Sequence, residues 1–195
     1  ILGVMIAVVA LALALGIGES FQIAFREQIE KTLAANSIYV YSPTGITEAD
    51  LAYYKKIYGV RDAFGIALKN VKIADPSGVK IVTLIAIEPK WIPEFLGLTD
   101  IEDLIEEGSS NLNGLGVIVG SDIWRDPQTG QKIRDVGEAF PIQILGSEGK
   151  QANIFIIGLA KPTGGFRGPT LNPDNAIYMD PEAYFTFIAK RRVYN

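Results

Sequence analysis

The chain has 195 residues, 48% of them hydrophobic, and a net charge of −4. That length allows one ordinary domain or two small ones, and the acidic balance argues against nucleic acid as a partner. The sequence holds neither cysteine nor histidine, which excludes disulfides, thiol nucleophiles, Cys- or His-type zinc sites and Ser–His–Asp catalysis within this chain.

Residues 1–18, ILGVMIAVVALALALGIG, carry no charge and no strongly polar side chain. As a helix they span about 27 Å, close to the ~30 Å hydrocarbon core of a bilayer. The run predicts a transmembrane helix, truncated because the chain opens at Ile1 inside it. A secretory signal peptide is the rival reading, since Ala10-Leu11-Ala12 and Ala12-Leu13-Ala14 resemble cleavage sites. Against that, residues 19–35 continue without Gly or Pro as an amphipathic helix. Phe21, Phe25, Ile29 and Leu33 recur every four residues and form one apolar stripe, while Glu27 and Lys31 make an i,i+4 pair on the wet side. The pattern predicts a rod that leaves the membrane and carries a folded domain over residues 36–195. The stripe needs a partner: the chain's own domain, a second stalk helix, or a second copy.

Beyond the rod, SIYVY at 37–41 is β-branched and aromatic and predicts a strand. SPTG at 42–45 predicts a turn, and TEAD at 47–50 a capping-box start to a helix reaching about residue 57. Residues 63–73 and 79–87 predict a β-hairpin around the DPSG turn at 75–78. The second of these strands is apolar on both faces, as a central, covered strand is. A short helical turn follows at 91–96. TDIE at 99–102 predicts a helix to about 107, and 108–116 a loop. GVIVG at 116–120 predicts a short buried strand, with Ser121 capping a helical turn through Trp124. Strands at 139–145 and 151–160 form a second predicted hairpin. A long Gly- and Pro-rich loop covers 161–174, and a strand at 175–179 precedes a helix that Asp180 caps and Pro181 opens. That helix is predicted to reach about Arg191, with Lys190, Arg191 and Arg192 suiting its C-terminal dipole. The domain is predicted to be incomplete at Asn195.

Candidate chemistry is sparse. Asp100, Glu102, Asp103, Glu106 and Glu107 lack the spacing of an EF-hand loop and alternate with Ile101, Leu104 and Ile105, as a solvated helix face does. The glycines at 114, 116 and 120 precede and contain a strand, whereas a phosphate-binding turn must open a helix. Arg167, in GGFRG at 164–168, could touch a ligand or partner, but a mobile Gly-rich connection explains the segment better. Trp91, Trp124, Phe166 and Phe185 read as packing residues. No Walker A segment is present, so any nucleotide-driven work falls to another chain. These readings predict no catalytic, cofactor-binding or metal-binding residues.

The pieces in their order resemble a known family. LGIGESFQIAFREQIEKTLAANSIYV at 15–40 is similar to the end of the first transmembrane helix and the stalk of MacB/FtsX-type ABC transporter permeases; Gly16, Gly18, Glu19, Leu33, Ala35, Asn36, Ile38 and Val40 carry the likeness. TEAD at 47–50, YGV at 58–60 and IAIEP at 85–89 resemble the course of that family's core domain. So do LGVIVG at 115–120, DVG at 135–137, IFIIG at 154–158 and AIYMDP at 176–181. The resemblance implies an α+β fold in which a transmembrane and stalk helix precedes a mixed α/β lobe with an inserted β-rich lobe. It implies that residues after about 19 lie on the extracytoplasmic side. It further implies membrane lipid, an ABC ATPase subunit and a second permease subunit as partners, and no cofactor. The permease would carry ATP-driven motion across the membrane to export or extract a substrate. A membrane-anchored binding or scaffold module without an ATPase is the alternative.

Overall fold

The computed structural model describes residues 38–76, 78–146, 150–164, 171–189 and 191–194. The predicted transmembrane run at 1–18 and the stalk at 19–35, with Phe21, Phe25, Ile29 and Leu33, lie outside the described residues. Among the described residues no helix is long and apolar enough to cross a membrane. The chain from Tyr39 to Asn195 forms one compact unit, of α+β class with a mixed sheet and few, short helices.

Strands β1 (Ala67–Asp75) and β2 (Gly78–Ala86) form the first hairpin, paired from Ala67↔Ala86 to Asp75↔Gly78. Strands β5 (Ala139–Ile144) and β6 (Gln151–Ala160) form the second. Between them lie β3 (Ile105–Gly108) and β4 (Gly116–Val119), and β7 (Ala176–Met179) follows. The sheet order is β3-β6-β4-β7-β2-β1-β5, and β5 also pairs with β6. The two hairpins thus meet edge to edge through β1 and β5, with Lys72 opposite Gln143. These pairings close β6, β4, β7, β2, β1 and β5 into a ring, while β3 stays outside it against β6.

Alternation along each strand fills the ring. Val71 and Ile73 of β1, Val82 and Leu84 of β2, Phe140 and Ile142 of β5, Ile154 and Ile156 of β6, Val117 and Val119 of β4, and Ile177 and Met179 of β7 share one buried cluster. A ring of fewer than about eight strands has no room inside for more than side chains. The interior is therefore packed core and offers no ligand cavity. Outside, one half of the ring is covered. Ile85, Ile118, Tyr178 and Ala160 pack against Ile92, Phe95 and Leu96 of the helix Ile92–Leu96, and against Leu104, Leu112 and Leu171. Trp124 belongs to the interior cluster: it is 3% exposed and its indole N–H donates to the Ala160 carbonyl at 2.8 Å. On the other half the outward positions are bare: Asn70 and Ala74 of β1, Val79 and Ile81 of β2, Ala139, Pro141 and Gln143 of β5, and Gln151, Asn153 and Phe155 of β6 are exposed, with Lys72 and Thr83 half-buried among them.

Several sequence expectations are corrected. Residues 38–41 form no strand; Ile38 is 89% exposed and Tyr41 75%, and no described strand pairs with them. Their β-propensity has nothing to act on without a ladder partner. The helix expected at 99–107 is one 3-10 turn, Ile101–Leu104, capped by Asp100 in place of Thr99. Residues 105–108 leave it for β3 because β6 offers Ala160 to Gly158 as partners, and tertiary pairing outweighs local propensity. Ser121 opens the turn Ser121–Trp124 without a side-chain cap. The last helix stops at Ile188, short of Arg191: three α residues, Pro181–Ala183, pass into a π turn, Tyr184–Ile188. Four of its residues, Tyr184, Phe185, Thr186 and Phe187, are poor helix formers. The strand predicted to be covered on both faces, β2, is covered only from Thr83 onward; Val79 is 73% exposed and Ile81 54%.

The capping of residues 47–50 follows expectation. The Thr47 backbone N–H donates to Asp50 at 2.8 Å, and Asp50 is held below the usual carboxylate range by hydrogen bonds from the Thr47 hydroxyl and backbone. The helix Glu48–Tyr54 then ends three residues earlier than predicted.

Two predictions follow from the ring. Leu84→Ala should cost about 2–5 kcal/mol, as truncations of fully buried leucines do, whereas Ile81→Thr on the opposite face of β2 should stay within about 0.5 kcal/mol. Urea unfolding followed by tryptophan fluorescence measures both, and equal costs would refute the inside–outside assignment. Gly120→Ala should destabilise strongly, because a Cβ there overlaps the carbonyl oxygens of Pro173 and Asp174, backbone atoms that cannot rotate away. A midpoint unchanged from the parent would show that this contact is not made.

Candidate functional site

The clearest constellation of side chains with a job beyond core filling lies where the chain enters the domain and where it returns at residue 194. Ile46 donates its N–H to the Tyr194 carbonyl at 2.7 Å and accepts from the Tyr194 N–H at 2.8 Å. The two segments run antiparallel at this bridge. Glu48, at the start of the first helix, accepts a hydrogen bond from the Tyr194 hydroxyl at 2.9 Å.

The Tyr194 ring is 6% exposed and has a built socket. One wall is Gly65, where any Cβ would run into the ring; only glycine lets the backbone approach an aromatic face this closely. Another wall is Phe185, edge-on at 5.3 Å between centroids and 82°. Phe185 is in turn edge-on to Tyr184 at 5.4 Å, and the Arg192 guanidinium lies 5.7 Å above it. Arg192 is ion-paired to Glu182. Burial, then the neighbouring Glu48 carboxylate, pushes the Tyr194 phenol well above its ordinary value. Burial likewise raises Tyr184. Both stay protonated at neutral pH and act here as hydrogen-bonding and packing groups.

The clasp therefore joins four stretches: residues 46–48, Gly65, the turn 182–188 and residues 192–194. Ile46, Tyr184, Ile188 and Tyr194 belong to the same buried cluster as the ring interior. Residues 46–48 and 194 are thus packed onto the ring rather than left as loose termini.

A second feature is an open cleft of about 730 Å³ lined by Pro89, Pro93, Leu98, Ile101, Lys90 and Asn111 among others. Its charged groups are engaged locally. Lys90 pairs with Glu88 at 2.5 Å, and Glu94 with Arg61 at 3.0 Å. Asp100 caps the 3-10 turn, and Glu102 accepts from Ser110 at 2.5 Å. Trp91 stacks on Phe64 at 4.9 Å. The groups point at one another and do not converge on a common point in the cleft.

The acidic run separates into the same local duties. Asp100 and Asp103 form a capping box one residue later than the sequence pattern put it. Glu106 pairs with Arg125 at 2.9 Å and Glu107 with Lys132 at 2.8 Å. Among the described residues no group of carboxylates is placed to hold a metal ion. The stripe residues Phe21, Phe25, Ile29 and Leu33, together with Phe166 and Arg167, lie outside the described residues. Sequence reasoning missed the clasp. The signal available was Gly65, isolated between Phe64 and Ile66 in a strand-like run, a position that marks close approach by another group.

The family model for the MacB-like periplasmic core domain matches residues 1–194. Among solved structures the chain is similar to the extracellular domain of the noncanonic ABC-type transporter YknZ from Gram-positive bacteria, at 16% identity and a TM-score of 0.46, over 78% of this chain and 71% of that one. It is also similar to the periplasmic region of MacB from Actinobacillus actinomycetemcomitans, at 9% identity and a TM-score of 0.46, over 73% of this chain and 58% of that one. No curated protein matches it. With the match running from the apolar first residues through the clasp at Tyr194, the chain belongs to the family of MacB-like periplasmic core domains.

Proposed function

We propose that this chain is the extracytoplasmic part of an ABC transporter permease subunit and works as a mechanical element. In this reading residues 1–18 are a transmembrane helix, 19–35 an amphipathic stalk, and 36–195 the core domain, whose described residues form one compact unit around the closed ring and not the two lobes expected from the sequence. A second permease subunit and separate ABC ATPase subunits complete the assembly. ATP hydrolysis occurs on those partners, and the permease carries the motion outward to export or extract a substrate. Phe21, Phe25, Ile29 and Leu33 form the seam through which the stalk meets its neighbour.

The observation that supports this reading is the clasp. The backbone arriving at Ile46 and the backbone at Tyr194 lie hydrogen-bonded side by side, the arrangement a domain needs if two membrane helices are to lift it together. The packed ring interior supports it too, since a solid body moves as a unit whereas a hollow one would hold substrate. The alternative, an anchored binding or scaffold module without an ATPase, uses the same fold and differs in having nothing to drive it.

The test uses the permease reconstituted with its ATPase. These 195 residues contain no cysteine, so, in a permease with any cysteine elsewhere replaced, a spin label placed by Tyr58→Cys, at a fully exposed position, reports the distance between the two domains. ATP should shift that distance, and Phe25→Glu should abolish the shift while hydrolysis continues and the domain stays folded. An unchanged shift in Phe25→Glu would remove the seam from the mechanism. Absence of any ATP-dependent shift in the parent protein would favour the anchored module. Tyr194→Phe, which deletes one hydrogen bond to a carboxylate, should lower the unfolding free energy by about 1 kcal/mol; thermal melts of the two proteins compare them directly.

A further inference from the structure

Residues 109–115 carry the chain from β3 to β4, the strand between β6 and β7. Both ends of this loop are anchored. Ser109 donates its N–H to the Ile157 carbonyl at 2.8 Å, Leu112 is 5% exposed within the covering layer's cluster, and Phe155 donates to the Leu115 carbonyl at 3.0 Å. Between these anchors Asn113 and Gly114 stand exposed at the tip, where solvent chemistry on a fold concentrates. The Gly116 N–H donates to the Asn113 carbonyl at 3.0 Å and closes the turn. Gly114 lies inside it at φ +50°, and nothing comes within 4 Å of the place a Cβ would take. Among the described residues no group bonds the Asn113 carboxamide or the Gly114 N–H.

An asparagine followed by glycine holds both halves of a reaction. The carboxamide carbon is an electrophile, and the next residue's amide nitrogen reaches it when no side chain crowds the approach. The other described asparagines lack one half. Asn70, Asn111 and Asn153 precede the bulky Val71, Leu112 and Ile154, and Asn172 precedes Pro173, which has no N–H. The Asn175 carboxamide is tied to the Ile81 carbonyl at 3.1 Å. We propose that Asn113 is a site of spontaneous covalent modification, passing through a cyclic imide to aspartate and isoaspartate. Solvent base takes the Gly114 amide proton. The nitrogen attacks the Asn113 Cγ, a C–N bond forms, and the side-chain nitrogen leaves as ammonia with a proton from water. Water then opens the imide at either of its carbonyls. Opening at Cγ gives aspartate; opening at the main-chain carbon gives isoaspartate, with the chain now running through Cβ and Cγ. In sum a water is consumed and an ammonia released, with no oxidant or reductant. The proposal does not rest on the permease reading.

The two products act differently on the fold. Aspartate leaves the backbone as it was and puts a charge at an exposed position. Isoaspartate inserts an extra main-chain atom between Leu112 and Gly116, and β4 has no slack to take it up. Every residue of β4 is buried, and at Gly116 a Cβ would come within 3.0 Å of both the Asn113 carbonyl oxygen and the Ile157 side chain. Isoaspartate therefore breaks the Gly116 hydrogen bond of the turn and loosens the start of β4.

The test ages the intact folded protein for days in mildly alkaline and in mildly acidic buffer, then cuts it with trypsin and maps it by mass spectrometry. The peptide from Trp91 to Arg125 holds both Asn111 and Asn113 and is its own control. Asn113 should convert with isoaspartate in excess, several-fold faster in the alkaline buffer, while Asn111 stays unchanged. Gly114→Ala should slow the conversion several-fold. That comparison is repeated in urea, where a folding defect of the variant plays no part. The aged fraction carrying isoaspartate should melt below the parent, and Asn113→Asp should melt with the parent. No conversion in the folded protein overturns the proposal, and conversion in urea alone would assign the protection to the turn. Aspartate without isoaspartate overturns it as well, since no imide has formed. So does an unchanged rate in Gly114→Ala. An isoaspartate fraction that melts with the parent overturns the effect on β4.

Discussion

Strand β5 makes two sets of backbone hydrogen bonds, to β1 through Ile142–Ile144 and to β6 through Ala139–Gln143. That double pairing is the constraint on which the rest of the domain depends. Without it the strands would still form one sheet through β6, β4, β7 and β2, but that sheet would be open, with a free edge and its greasy inner face unclosed. With it, the inward residues of six strands meet and the ladder closes. Pro141 shows how the joint is limited. It can accept but not donate, and the β1 ladder runs no further than Ile142, while pairing to β6 continues past it to Ala139.

Closure also decides where function can reside. A ring this narrow is filled by its own valines, isoleucines and leucines, and nothing passes through it or binds within it. What remains is the outside: a covering layer on one half, a bare face on the other, and the clasp at the chain's two approaches. The charged groups of the covering layer form local pairs such as Glu106–Arg125 and Glu107–Lys132. Pairs this exposed contribute between nothing and about 1 kcal/mol each. Their effect is to hold the 125–132 turn beside β3, where they also put charge along that strand's free edge and discourage further pairing.

The strong local signals in the sequence were legible. Both hairpins appear where the turn residues put them, because DPSG and the Gly-rich turn after Leu145 leave little else for the backbone to do. GVIV at 116–119 is buried on every residue, as an uninterrupted apolar run should be. Asp180 caps the last helix through Ala183 at 3.1 Å. The failures have two causes. Residues 105–108 became a strand because β6 was within reach, 38–41 did not because no described strand was, and the last helix broke off at Ile188. The first two outcomes turned on whether a strand distant in sequence was there to pair with, which periodicity cannot see; the third follows from the aromatic and β-branched run 184–187, poor helix formers that the sequence pattern had passed over. The clasp was hidden for the first of these reasons, since Glu48 and Tyr194 are 146 residues apart.

In the proposed permease, that distance is what would make the clasp mechanically useful. A bond between neighbours in sequence stiffens a loop; a bond between residues 46–48 and 194 encloses nearly the whole domain. Tension on either end acts first on two backbone hydrogen bonds, one phenol–carboxylate bond and a buried aromatic ring, all loaded together. Behind them Ile46, Tyr184 and Ile188 lie in the ring's own core, so yielding at the clasp would require unpacking the interior as well. A domain tied this way turns or translates whole before it stretches.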